Sequence, residues 1–261
     1  MLAPVTRDRL LGHLGAEAPA TPGLEALTAL QRAWLARIPF EALAVVLGEY
    51  EPLDAERLVD RFVTGRRGGY CFEVNGVFAL LLESLGFSVE RREAIVGEPG
   101  PTDHLALVVN VPEGPYLAEV GFGDGPVAPL PLAEGTTTLG RYRFTLRRGD
   151  GEWHLDMPPG HNPAGFRFGD STVTWDVFAP HHERLATSPE SGFVRVLVIE
   201  RPDPDTVLVL RGRTFKDGKT ERILEAPPEL AAVLEDIFGI DTAVLGADRM
   251  QRLWEISGRP H

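Results

Sequence analysis

Apolar residues recur at helical spacing through the first third of the chain. Leu24, Leu27, Leu30, Trp34 and Leu35 form one stripe, for which Thr21-Pro22 supplies a cap and a first helical position. A second stripe, Leu58, Phe62 and Val63, follows Asp54, a good N-cap. In the third, Val74, Val77, Phe78, Leu81, Leu82 and Leu85 fall at i, i+3, i+4, i+7, i+8 and i+11, so a buried helix is expected from near Cys71 to Gly86. After Gly86 the period drops to two. Runs rich in β-formers stand at 88–96, 104–111, 115–120, 141–148, 152–156 and 172–178, separated by clusters such as Glu98-Pro99-Gly100-Pro101 and Pro158-Pro159-Gly160. This predicts mostly antiparallel sheet. The last third opens with strands at 193–200 and 205–211, then a hairpin through Lys216-Asp217-Gly218-Lys219 and helices at about 228–238 and 242–256. No repeat or low-complexity linker interrupts the chain, so three parts, 1–86, 87–190 and 191–261, are expected to pack on one another.

Composition narrows the class. With 43% apolar and 25% charged residues the chain reads as an ordinary globular protein, and no stretch of about eighteen apolar residues predicts a membrane span. Arg7, Asp8 and Arg9 break the apolar run that a secretory leader needs, so a cytoplasmic location is expected. The net charge of −12 disfavours nucleic acid as a partner. A single cysteine excludes an intramolecular disulfide and leaves one thiol to be explained.

That thiol is Cys71. Arg66-Arg67-Gly68-Gly69-Tyr70-Cys71 runs two glycines into the first turn of the apolar helix, where unpaired N–H groups and the helix dipole favour a thiolate. The glycines would let backbone and substrate approach the sulfur. His104 heads the strand-like run His104-Leu105-Ala106-Leu107-Val108-Val109 and is placed to act as a base. Glu119 lies in Leu117-Ala118-Glu119-Val120-Gly121, an acid in an apolar strand that is costly to bury without a partner. A hairpin around Pro112 to Gly114 would set His104 and Glu119 about opposite each other, which suits a carboxylate–imidazole hydrogen bond.

These segments carry a resemblance. RGGYCFEVN at 67–75, IPFEAL at 38–43, His104 before an apolar strand, AEVGFG at 118–123 and FGI at 238–240 resemble the signature of the arylamine N-acetyltransferases. The resemblance implies an α+β fold with an N-terminal helical bundle, a central antiparallel β-barrel and a C-terminal α/β lid around a cysteine-protease-like core. It implies a ping-pong acyltransferase with acetyl-CoA as donor substrate and no permanently bound cofactor. Cys71 would be the nucleophile, His104 the base and acid, Glu119 the orienting carboxylate, and an arylamine or hydrazine the acceptor. Glu41 and Arg67 resemble the family's structural ion pair, and Phe40 and Phe122 its acceptor-pocket wall. The family usually carries aspartate where Glu119 stands and asparagine where Ala42 stands, so Asp124 beyond the glycine turn stays open as another carboxylate.

Other signals are weaker. Gly121-Phe122-Gly123-Asp124-Gly125 reads as a sharp turn, since Pro126 follows where the helix of a phosphate loop should begin. His181-His182-Glu183 lacks a second cluster at ligand spacing and reads as surface; His13, His154 and His161 are isolated, and no metal is expected. Arg211, Arg213, Lys216 and Lys219 form a basic hairpin and are the candidates for the CoA phosphates. The same machinery would also serve an amide synthase that takes its acyl chain from an acyl carrier protein and releases a macrolactam. A thiol hydrolase or transglutaminase-like enzyme could use the triad as well, and a cleft that only binds a ligand is the non-enzymatic competitor.

Overall fold

The computed structural model describes residues 1–161, 163–203, 205–218 and 220–259. Its N-terminal part holds helices α1 (Pro4–Leu14) and α2 (Leu24–Arg37), the short strand β1 (Phe40–Glu41), then α3 (Leu43–Val46), α4 (Ala55–Val63) and α5 (Cys71–Ser84). Asp54 caps α4 as expected, its carboxylate accepting from the Arg57 N–H at 2.9 Å. Helix α2 starts behind Gly23 instead of Thr21-Pro22. Its free Leu24 N–H donates to the carboxylate of Glu113, 89 residues away, a favourable charge at a helix N-terminus supplied by tertiary contact. In α5 every residue from Cys71 to Ala79 is buried, so this is a core helix covered on all sides.

Eight strands follow: β2 (Ser88–Val96), β3 (His104–Val111), β4 (Gly114–Ala118), β5 (Leu130–Pro131), β6 (Gly135–Leu139), β7 (Tyr142–Gly149), β8 (Glu152–Asp156) and β9 (Gly165–Phe168). They pair antiparallel in the order β5-β4-β3-β2-β9-β8-β7-β6. In a flat sheet the outer strands β5 and β6 would lie about 34 Å apart, seven spacings of roughly 4.8 Å. The link between Pro131 and Gly135 can span only about 14 Å, so the sheet must curl into a nearly closed barrel. Strand β3 is buried on both faces, which explains its weak alternation: Leu105, Leu107 and Val109 pack towards α5, whereas Ala106 and Val108 join the barrel core with Phe144, Phe166 and Phe168.

The run 172–178 is not a strand. Only Val173 bridges to Arg91, and Trp175–Phe178 forms a 3₁₀ turn that leads into α6 (Ala179–Thr187). Tertiary packing overrides its β-propensity: the Trp175 indole N–H donates to the Phe72 carbonyl at 2.9 Å, and the ring occupies the space that a side chain at Gly76 would fill.

The C-terminal part contains α7 (Gly192–Arg195), β10 (Val198–Pro202), β11 (Val207–Arg211), β12 (Thr214–Lys216), β13 (Glu221–Ile223), α8 (Pro227–Ala232), α9 (Thr242–Leu245) and α10 (Ala247–Ser257). The expected strand 193–200 begins as helix because Ser191 caps α7 through the Phe193 N–H. Helix α8 runs on through a π-helical turn, Val233–Ile237, and the single helix expected over 242–256 is broken at Gly246. The hairpin flanks are β12 and β13; Lys219 lies outside the described residues. The second sheet has the order β1-β10-β11-β12-β13, so an N-terminal strand completes a C-terminal sheet. Leu43, Val46 and Leu47 accordingly share a core with Leu197, Ile199, Phe215 and Phe238. Among the described residues no helix is long and apolar enough to cross a membrane.

Candidate active site

Cys71 opens α5, and the loop that delivers it is tied down on all sides. Glu41 receives Arg67 (3.2 Å), the Gly68 N–H (3.1 Å) and the Leu43 N–H. Burial opposes charge on Glu41, yet Arg67, Arg61 and the Leu43 N–H hold its carboxyl below the ordinary range. Glu73 accepts from the Tyr70 N–H and pairs with Arg61 at 2.6 Å. Gly68 clears room for the chain itself and not for a substrate, since a side chain there would collide with the Pro39 carbonyl. Behind the loop His182 is buried, taking the Tyr70 hydroxyl at Nδ1 and donating from Nε2 to the Glu51 carbonyl at 2.8 Å. His182 is therefore a satisfied core residue and not the surface residue its dipeptide suggests. No group of residues suited to a metal ion occurs among those described.

His104 and Glu119 meet. The Nε2 of His104 lies 2.9 Å from Oε2 of Glu119, with both side chains buried. The register differs from the expected one, because Leu107 faces Ala118 and the ladder stops there. Glu119 is thus a diagonal neighbour of His104. A shift of two residues keeps both side chains on the same face, and their length closes the gap. The other carboxylate oxygen, Oε1, accepts from Asn75 Nδ2 (2.7 Å) and from the Gly121 N–H (2.6 Å). Asn75 also donates to the Leu105 carbonyl at 2.8 Å and accepts from the Val120 N–H at 3.0 Å. Gln31 spans the same turn, accepting from the Glu119 N–H and donating to the Pro126 carbonyl. Asn75 and Gln31 were not singled out from sequence, although Asn75 stands four residues after Cys71 on the same helix face.

The sulfur and the imidazole line one cavity of about 240 Å³, together with Phe40, Phe122, Phe193, Val198, Glu200 and Arg211. The His104 ring packs against Phe166 (4.6 Å between centroids) and Phe122 (5.3 Å), which fixes its orientation. The Cys71 thiol lies 3.5 Å from the Asp103 carbonyl oxygen, and Gly121 packs so close that an added Cβ would come within 2.8 Å of Cys71 Cα. Burial pushes the Cys71 thiol well up, as do the charges of Asp103 and Glu119; the Phe72 N–H pulls the other way and loses. The helix start thus works against the burial of the sulfur. Ionisation needs a partner that takes the proton.

The other expected residues separate. Asp124 pairs with His161 at 2.7 Å instead of with His104. The neighbouring Asp103 turns its carboxylate to the Val96 N–H at 2.8 Å. Arg211 and Lys216 line a groove of about 610 Å³ that adjoins the cavity at Glu200 and Arg211. Arg213 does not join them: it stacks on Trp254 at 3.6 Å and donates to the Trp254 carbonyl.

Comparison with known proteins places this arrangement. The family model described as N-acetyltransferase matches residues 23–245. The arylamine N-acetyltransferase of Mycolicibacterium smegmatis is 34% identical over 94% of this chain and 96% of its own. That of Escherichia coli K12 is 32% identical over 85% of this chain and 84% of its own. Among solved structures, the Mycobacterium marinum arylamine N-acetyltransferase in complex with CoA superposes with a TM-score of 0.86 at 30% identity, covering 96% of this chain and 97% of that one.

Proposed function

The chain belongs to the arylamine N-acetyltransferase family, and from that premise we propose that it carries an acetyl group from acetyl-CoA to an arylamine or hydrazine through a thioester on Cys71. The reading rests on one observation: Cys71 and His104 line the same small aromatic-walled cavity while Glu119 holds the imidazole by Nε2. With Nε2–H donating to Glu119, Nδ1 is left to act as the base. The thiol proton passes to Nδ1, and the sulfur attacks the acetyl carbonyl. The bond from that carbon to the CoA sulfur breaks, and His104 returns the proton to the departing thiolate. In the second half the amine attacks the Cys71 thioester, its proton goes to His104, and the protonated imidazole restores the Cys71 thiol as the amide leaves. The CoA complex of the M. marinum relative supports a CoA donor. The adjoining groove, with Arg141, Arg211 and Lys216 in its wall, is our candidate for the CoA phosphates.

Intact mass spectrometry after mixing with acetyl-CoA tests the reading. One acetyl group should appear on the wild type, be absent from Cys71→Ala, and vanish when an arylamine is added. Acylation that persists in Cys71→Ala rejects the thioester. Acylation by a carrier-bound chain alone would move the protein to the amide-synthase reaction.

A further inference from the structure

Glu200 is a charged residue of the cavity to which the reaction above gives no task. It stands in β10 opposite Phe40 on one side and Val209 on the other, and lines both the cavity and the adjoining groove. Its carboxyl occupies the space at Gly123, where the backbone is left-handed (φ +69°) and a side chain would collide with Oε2. No side-chain hydrogen bond or ion pair engages the Glu200 carboxyl among the described residues. A partly buried carboxyl that faces a cavity with no side-chain partner is open to a ligand group that can donate to it. Burial and the nearby charge of Asp124 push Glu200 up to about 8, against the pull of Arg211. The surroundings reinforce this acidic spot: Asp124 gives Oδ2 to His161, and its Oδ1 is buried without a partner among the described residues. Arg211 is more exposed than Glu200, so water screens it more and it makes the weaker anchor.

We propose, building on the acyl-transfer reading, that Glu200 selects the acceptor by receiving a second, cationic or hydrogen-bond-donating group of an aromatic amine or hydrazine. The ring lies against Phe40, Phe122 and Phe193 while the first nitrogen attacks the Cys71 thioester. The favoured substrates are therefore arylamines that also bear an amidine, amino or hydrazine group, and carboxylate-bearing arylamines are disfavoured.

The test compares kcat/KM at saturating acetyl-CoA for three amines on one ring: 4-aminobenzamidine, methyl 4-aminobenzoate and 4-aminobenzoate. In the wild type the amidine should exceed the neutral ester by about tenfold or more, and the carboxylate should rank last. Glu200→Gln should shrink the amidine advantage by about tenfold. An advantage unchanged in Glu200→Gln, or a wild type that favours the carboxylate, overturns the proposal. Should Glu200→Gln fail to fold by circular dichroism, Glu200→Asp carries the test: a withdrawn acid should lower the ratio severalfold, and an unchanged ratio rejects the idea. Failure of the underlying reading looks different, because the wild-type mass spectrum would then show no acetyl on Cys71 before any amine is added, and both claims would fall.

Discussion

Glu119 and Glu200 are two acids set into apolar strand sequence beside one site, and their surroundings treat them in opposite ways. Around Glu119 the donors are complete: Asn75 and the Gly121 N–H on one oxygen, His104 on the other. Around Glu200 they are absent among the described residues, and its carboxyl is pushed up to about 8. Glu119 is fully buried and Glu200 partly so. What separates them is the set of N–H groups within reach, which decides whether a sunken carboxyl serves as a fixed strut for an imidazole or as an unsatisfied acid waiting for a ligand.

Cutting the link between sulfur and Glu119 should do the most damage. His104→Gln removes the base, and acetyl transfer should fall about a thousandfold. Alkylation of Cys71 by iodoacetamide at pH 7 should slow in parallel, because the thiol then keeps its raised pKa; a pH–rate profile that matches the wild type would show that the imidazole does not activate it. Next is Glu119→Gln. A neutral amide must turn its NH2 either on the His104 ring or on the Asn75 and Gly121 N–H groups that share Oε1, and either choice loosens the ring, so kcat/KM should drop about a hundredfold with the fold kept. A fully active variant would transfer the orienting role elsewhere.

Glu200 offers a test on stability. Its folded pKa of about 8 lies above that of an unfolded glutamate, so the folded state binds the extra proton between about pH 4.5 and 8. Stability must therefore decline as pH rises through that window. Relative to Glu200→Gln, the wild type should lose up to about 3 kcal/mol between pH 5 and 8, seen as a steeper fall in Tm. Parallel Tm curves would contradict the assigned environment. The gentlest perturbation is Glu119→Asp, whose shorter carboxylate cannot hold Asn75, Gly121 and His104 together; a loss of about tenfold in kcat/KM is expected.

Much of this comparison was legible in the chain, but unevenly. Cys71 could be found because RGGYC ends a polar loop at the first residue of a helix with an unmistakable stripe, and the structure starts α5 there. Glu119 was found by asking what partner an acid in an apolar strand requires. Val198-Ile199-Glu200 poses the same question, which its β-propensity alone does not answer. Register was beyond reach: the tight turn that sets Val111 opposite Gly114 moves Glu119 two residues along, and side-chain length alone restores the contact. Asn75, Gln31 and the Glu113 cap on α2 act across 30 to 95 residues of chain, a separation that local spacing does not encode.

The two-residue strand β1 has a consequence for how the protein comes into being. Phe40 bridges to Gly69, just ahead of the sulfur, and on its other side pairs with Glu200. A nascent polypeptide that has emerged from the ribosome as far as Val120 already owns its thiol, imidazole and carboxylate. It still lacks the β10 backbone on which that small strand leans, so competence must await synthesis of the final third.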